Sequence, residues 1–280
     1  MWLFYALLTV CLTTTLVITM RVLAVNSLDD RAFAFSYNLL GCLVMLTLVA
    51  IVGLGTIHLD GYLLLLMVLS GICYGLFQRY QFVVRKNLEA SELMPVITPT
   101  VIVGYVLAIV WLHEPLTAAR LAGFALLLAA MAMVVARHSK LRLSRYTLLA
   151  VAIGVVLAIT SPLDRRVAPH FSQILTYGTM IWLFSAIITF LPYVKPAAVK
   201  KEVLHHGWRL FAIVGINIVA TFTALAAIRM APSSQVQPIL STNIVLVTIL
   251  SVFVLKERDH LWLKFAAAVS MTVGLILISR

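Results

Sequence analysis

Residues 91–114 read SELMPVITPTVIVGYVLAIVWLHE, and residues 234–257 read SQVQPILSTNIVLVTILSVFVLKE. Each stretch opens on a serine, has a proline soon after and closes on a glutamate. The second copy lies 143 positions after the first, so Pro95 answers to Pro238 and Glu114 to Glu257. Between proline and glutamate both copies are apolar over nearly the length that carries a helix across hydrocarbon, about 20 residues. The chain therefore repeats itself once, in lipid.

Composition agrees. The 280 residues are 62% hydrophobic and 11% charged, with a mean hydropathy of +1.06. A water-soluble domain is roughly a quarter charged. Backbone groups in lipid must be satisfied within helices or closed barrels, and barrel strands would alternate apolar with polar residues. The long unbroken runs here predict an all-α integral membrane protein.

Polar breaks divide the sequence into about ten spans. Five run near 2–20, 33–54, 61–84, 91–112 and 116–136. After a basic connector (Arg137, Lys140, Arg142, Arg145), five more run near 146–163, 171–194, 207–230, 233–256 and 260–279. Residues 1–140 and 141–280 form two units of five helices. An odd number of spans per unit turns the second upside down, the inverted-repeat plan of many secondary transporters, with the site near midplane. Met1–Met20 lacks a basic leader and a small-residue cleavage site and is read as a retained span.

Charge tests the inversion separately. Of the 21 Lys and Arg residues, fifteen follow odd-numbered spans and five (Arg120, Arg165, Arg166, Arg229, Arg280) lie on the opposite side. By the positive-inside rule this bias places both termini outside the cytoplasm. The net charge of +11 is thus assigned to topology and anionic lipid heads, and no nucleic-acid partner is expected. Cys11, Cys42 and Cys73 are scattered through apolar runs without ligand spacing, so they are read as packing residues, with no metal.

The candidate binding residues lie on matched spans. Arg79 is the basic side chain within a span, near Tyr74 and Gln78 and a Gly71-x-x-x-Gly75 pair that invites close helix approach. Gly71, Tyr74, Gly75 and Gln78 share one sector, with Arg79 at its margin. An intramembrane arginine suits a carboxylate or phosphate; the alternative is that it snorkels to the basic surface. The repeat offset carries Tyr74 to Asn217, Gln78 to Thr221 and Arg79 to Phe222, so two helices present polar groups at one depth. The fourth and ninth spans add Ser91, Pro95, Thr98 and Pro99 against Ser234, Pro238, Ser241 and Thr242, with Thr100 matched to Asn243. Prolines within helices remove a hydrogen bond and bend the element, so Pro95 and Pro238 are candidate gating kinks. Tyr37, Asn38, Tyr177 and Trp182 are weaker candidates in the second and seventh spans, where aromatic residues more often pack or anchor at the interface; Glu114 and Glu257 read as helix caps, and Asp29, Asp30 and Arg31 as a solvated connector. Glu92 and Asp164 fall near span ends, so no carboxylate is expected deep in a span and proton coupling is not expected. No Walker loop, zinc helix or nucleophile elbow occurs, and no cofactor is expected.

Two five-helix halves, each with a proline-bearing span, a glutamate and a final small-residue span (Pro95 to Glu114 then Gly123; Pro238 to Glu257 then Gly274), resemble the drug/metabolite transporter superfamily, specifically its EamA-like branch. The resemblance covers essentially the whole chain, although Ala266 stands where the repeat would place the counterpart of Gly123. It implies a ten-helix inner-membrane carrier with a central cavity, moving an amino acid or related small metabolite, and termini in the cytoplasm, opposite to the charge bias. Sister branches carry nucleotide-linked or phosphorylated sugars, which need strong basic groups in the cavity; here Arg79 is the one such group, so those substrates rank lower. From other classes, an intramembrane enzyme acting on a lipid-linked substrate would need a reactive constellation near one interface, where the titratable residues are scattered; a non-transporting membrane interaction partner, which would not depend on the central polar residues, is the other alternative. Monomer and homodimer stay open.

Overall fold

Apolar runs bounded by short polar caps give long helices. The computed structural model describes residues 1–88, 102–113, 117–135, 144–191, 193–243, 246–247 and 261–279. Among them the regular elements are helical: α1 (Trp2–Val25), α2 (Asp30–Val52), α3 (Gly61–Asn87), α4 (Ile102–Leu112), α5 (Ala118–Val135), α6 (Arg145–Val167), α7 (Ile174–Phe190), α8 (Pro196–His206), α9 (Trp208–Met230), α10 (Ser233–Leu240) and α11 (Leu261–Ser279). A 3-10 turn, Ala168–His170, follows α6. Among the described residues five helices are long and apolar enough to cross a membrane: α1, α2, α3, α6 with its 3-10 turn, and α9.

The starts are capped locally. Asp29 accepts from the backbone of Arg31 and Ala32, Asp60 from Leu63 and Ser144 from Thr147, each satisfying donors that a helix N-terminus leaves free. The connector Asp29–Arg31 is more than a solvated link. Asp30 pairs with Lys86 at 2.8 Å, and the Asp29 amide donates to Glu202 at 2.6 Å. Glu202 is wholly buried and lies 3.2 Å from His206, so α8 is pinned against the start of α2. The sequence reading missed this because its spans stop where the charges begin.

Polarity is arranged as lipid demands. Phe4, Leu65, Val110, Phe211 and Ile276 face outward, while Asn38, Asp164, Thr176 and Gln235 are buried. The chain is a multi-pass membrane protein. In the interior α1 packs on α9, α3 on α6 and α7, α2 on α7, and α5 on α11. The Gly71-x-x-x-Gly75 pair faces α7 within the same chain: a Cβ at Gly71 would meet Phe184 at 2.6 Å, and one at Gly75 would meet Ile188 at 2.6 Å. The α5–α11 contact is backbone to backbone, since a Cβ at Gly123 would lie 2.7 Å from the Gly274 carbonyl. Glycine lets these backbones touch. Cys42 and Cys73 are buried and unpaired, and Cys11 is exposed.

Two elements depart from the expected spans. Helix α6 does not stop at 163 but runs through Pro162 to Val167, because Asp164 finds partners on neighbouring helices. The ninth span is interrupted: α10 ends at Leu240, two residues after Pro238, in a turn where Ser241 Oγ donates to the Gln237 carbonyl at 2.9 Å. Pro95, Thr98, Pro99, Glu92, Glu114 and Glu257 lie outside the described residues.

Candidate functional site

A cavity of about 330 Å³ lies among α1, α3, α6, α7, α9 and the turn after α10. Helix α3 gives it Tyr74, Gln78, Gln81 and Arg85, at i, i+4, i+7 and i+11, a spacing that keeps one helical face toward one neighbour. Helix α9 gives Asn217, Thr221, Ala224 and Ile228 at the same spacing. Gln237, Ser241 and Asn243 close one side, Thr9 and Thr13 another. The sequence-predicted residues Tyr74, Gln78, Asn217, Thr221, Ser241 and Asn243 are thus brought together around one space.

Arg79 is not among them. Its Nη1 donates to the Ile188 carbonyl near the C-terminus of α7 at 3.3 Å, and its guanidinium lies 5.5 Å from the centre of the Tyr80 ring. A cation there complements the negative end of α7. The arginine on the cavity is Arg85, whose Nη1 donates to the Val17 carbonyl of α1 at 3.3 Å. The sequence reading placed Arg85 in a connector, because charge was taken to end the span at 84. The four-residue step from Gln81 along the Tyr74–Gln78 stripe would have found it. Among the described residues Arg85 is the one charged side chain on the cavity lining. Gln81 donates its amide to the Gln78 carbonyl, which orients that pair. Ser161 on α6 also lines the cavity, and its buried hydroxyl has no hydrogen-bond partner among the described residues.

Below Tyr74 lies a group that sequence reasoning excluded. Asp164 has no exposed surface. Its Oδ1 accepts from Ser70 at 2.8 Å and from Tyr177 at 2.6 Å, and its Oδ2 accepts from Tyr74 at 2.7 Å. A carboxylate therefore does lie inside the bundle, and Tyr177 is one of its donors as well as a packing residue. Asp164 looked peripheral because the bulk of α6 precedes it, but α3 and α7 enclose that end. Next to it Arg165 turns away and donates to the Ile228 and Arg229 carbonyls, at 2.6 and 2.9 Å, closing the C-terminus of α9. Tyr37, Asn38 and Trp182 are buried, so none is an interface anchor. Among the described residues no three His, Cys, Asp or Glu side chains cluster as a metal would require.

The cavity residues of α6, α7, α9 and α10 fall in one recognised domain: residues 144–280 match the EamA-like transporter family. Over those residues, nearly half of its length, the chain belongs to that family. It is a membrane transporter of the drug/metabolite transporter superfamily. No curated protein matches the sequence. Twenty-seven chains of solved structures match; one, titled only "Crystal structure of protein", superposes with a TM-score of 0.70 at 17% identity, covering 98% of this EamA-like chain and 94% of its own. That likeness concerns the fold.

Proposed function

We propose that this EamA-like chain is an alternating-access carrier for a small polar solute bearing one anionic group, an amino acid or a close relative, in the inner (plasma) membrane. The observation that carries the reading is the cavity itself: both halves supply polar side chains to it, and one cation, Arg85, stands on its wall. A guanidinium there suits a carboxylate, and the free Ser161 hydroxyl is available to a polar group of the solute. Phosphorylated or nucleotide-linked sugars call for more than one cation, so they rank second. The reading is of a carrier and not of an enzyme.

The architecture we propose is ten helices in two inverted repeats, residues 1–140 and 141–280. A shift of 143 positions carries α1 onto α6, α2 onto α7, α3 onto α9 and α5 onto α11. The packing respects that exchange. The α1–α9 contact becomes α6–α3, while α2–α7 and α5–α11 map onto themselves. Tyr74, Gln78, Asn217, Thr221, Ser241 and Asn243 then hold the solute with Arg85 in the role first given to Arg79, and Thr98 joins them. Pro95 and Pro238 let their helices bend as the halves rock.

The test is counterflow in liposomes with a panel of amino acids, sugars and phosphorylated metabolites, comparing wild type, Arg85→Ala and Arg79→Ala. Saturable exchange of a carboxylate solute, lost only in Arg85→Ala, is expected. Exchange that is indifferent to Arg85 would remove the anion site, and no saturable exchange at all would count against the carrier.

A further inference from the structure

We infer that Asp164 is a proton-binding site that exchanges with the cavity through Tyr74 and couples proton binding to solute binding, a reading that rests on the carrier proposed above. Asp164 is sealed from solvent and, among the described residues, has no ion pair within 4.0 Å. A buried carboxylate without a cation is unusual, since charge in a low-dielectric interior needs pairing or full hydrogen bonding. The titratable groups that face it are Cys73 and Tyr74 on α3 and Tyr177 on α7. Arg165, its neighbour in the chain, is committed to the end of α9.

All three donors to Asp164 are hydroxyls, and a hydroxyl can either donate or accept. The same cage therefore satisfies both forms of the acid. In the ionised form Ser70 and Tyr177 donate to Oδ1 and Tyr74 donates to Oδ2. In the neutral form Oδ2 carries the proton and donates back to the Tyr74 oxygen, while Ser70 and Tyr177 keep donating to the carbonyl-like Oδ1. No side chain is orphaned in either state.

Of the four residues, Tyr74 alone lines the cavity. A hydronium ion there gives its proton to the Tyr74 oxygen as the tyrosine's own proton passes to Oδ2. Water remains, the tyrosine is regenerated and the carboxylate becomes a carboxylic acid. The Tyr74 O–H, no longer held by Asp164, then points into the cavity as a new donor beside Gln78. Proton binding thus changes what the cavity offers a solute, which is the differential interaction that coupling requires.

The experiment needs no solute. Proteoliposomes adsorbed on a solid-supported membrane receive a jump from mildly alkaline to mildly acidic buffer, and the charge displacement is recorded. Infrared difference spectra of the same samples follow the protonated carboxyl band. Wild type should give a displacement and a carboxyl band, both lost in Asp164→Asn. Tyr74→Phe should keep the band and slow the displacement. The inference is overturned if wild type gives no displacement, if Asp164→Asn retains it, or if a sodium step at constant pH gives it instead. Should Asp164→Asn fail to fold, Tyr74→Phe decides: an unchanged rate overturns the route. Saturable counterflow without a displacement would remove the proton site and leave the carrier. A displacement without counterflow would keep the site and count against the carrier.

Discussion

In the two-repeat arrangement proposed above, helices α3 and α9 are counterparts, and each lines the cavity with six residues, four of them in the register i, i+4, i+7 and i+11. Those of α3 are Tyr74, Gln78, Gln81 and Arg85; those of α9 are Asn217, Thr221, Ala224 and Ile228. Geometry is shared and chemistry is not. The α3 face is long, polar and charged, whereas the α9 face shortens and becomes apolar toward its C-terminal end. A duplicated scaffold needs only matched helix positions, but a solute with one charged end needs one cation, and a second would be buried without a partner. For the carrier proposed above, the two faces divide into a recognising wall and a shaping wall.

Making the two walls alike should have the largest effect. Arg85→Ile copies the α9 residue onto α3 and removes the cavity's cation. A charge-assisted hydrogen bond is worth about 1.5–3 kcal/mol, so the apparent affinity for a carboxylate solute should fall roughly 10- to 100-fold, read as KM in counterflow. Neutral solutes should lose far less. Equal losses for both would mean that the substitution damages the cavity and not an anion site.

The helices also differ in how they pack. Gly75 of α3 is covered by α7, with Ile188 2.6 Å from where a Cβ would be, whereas a Cβ at Gly215 of α9 would meet nothing within 4 Å. Gly75→Val should destabilise by about 1–3 kcal/mol, the usual cost of overpacking. Gly215→Ala should stabilise by up to about 1 kcal/mol through helix propensity. Thermal unfolding in detergent measures both, and a neutral Gly75→Val would show that α7 moves aside freely.

On the shaping wall, Asn217→Leu replaces an amide with a branched apolar group where the solute would sit. Loss of one neutral hydrogen bond is worth about 1 kcal/mol and the added bulk increases it, so counterflow should fall by roughly tenfold with unfolding unchanged. Unaltered transport would take Asn217 out of the site and leave recognition to α3 alone.

How much of this the sequence disclosed depends on where each signal sits. The Tyr74–Gln78 face, its shift onto Asn217 and Thr221, and the glycine pair were legible because helical periodicity is local. Arg85 and Asp164 were not, for one shared reason: charge was taken to end a membrane span. That rule describes a lone helix in lipid. In a bundle, α1 offers Arg85 a carbonyl, and α3 and α7 offer Asp164 three hydroxyls, so both helices continue past the charge. Partners of that kind are set by tertiary placement, which one helix's periodicity does not encode. The break after Pro238 was half legible: the proline predicted a bend, and the hydroxyls of Ser241 and Thr242 turn it into a stop by taking the Gln237 and Ile239 carbonyls.

The smallest effect belongs to the residue the sequence favoured. Arg79 and Arg85 are six positions apart on α3, which at 3.6 residues per turn sets them about 120° apart around the axis. One faces the end of α7 and the other the cavity. Arg79→Ala removes a 3.3 Å hydrogen bond to the Ile188 carbonyl and a ring contact with Tyr80, both partly exposed, so stability should fall by no more than about 1 kcal/mol. Counterflow should change less than about twofold, a difference well under 1 kcal/mol. A large loss confined to anionic solutes would place Arg79 on the solute's path and shift the recognising wall toward α7. A small, solute-independent change would leave Arg85 as the arginine that meets the solute and Arg79 as the one that holds two helices together.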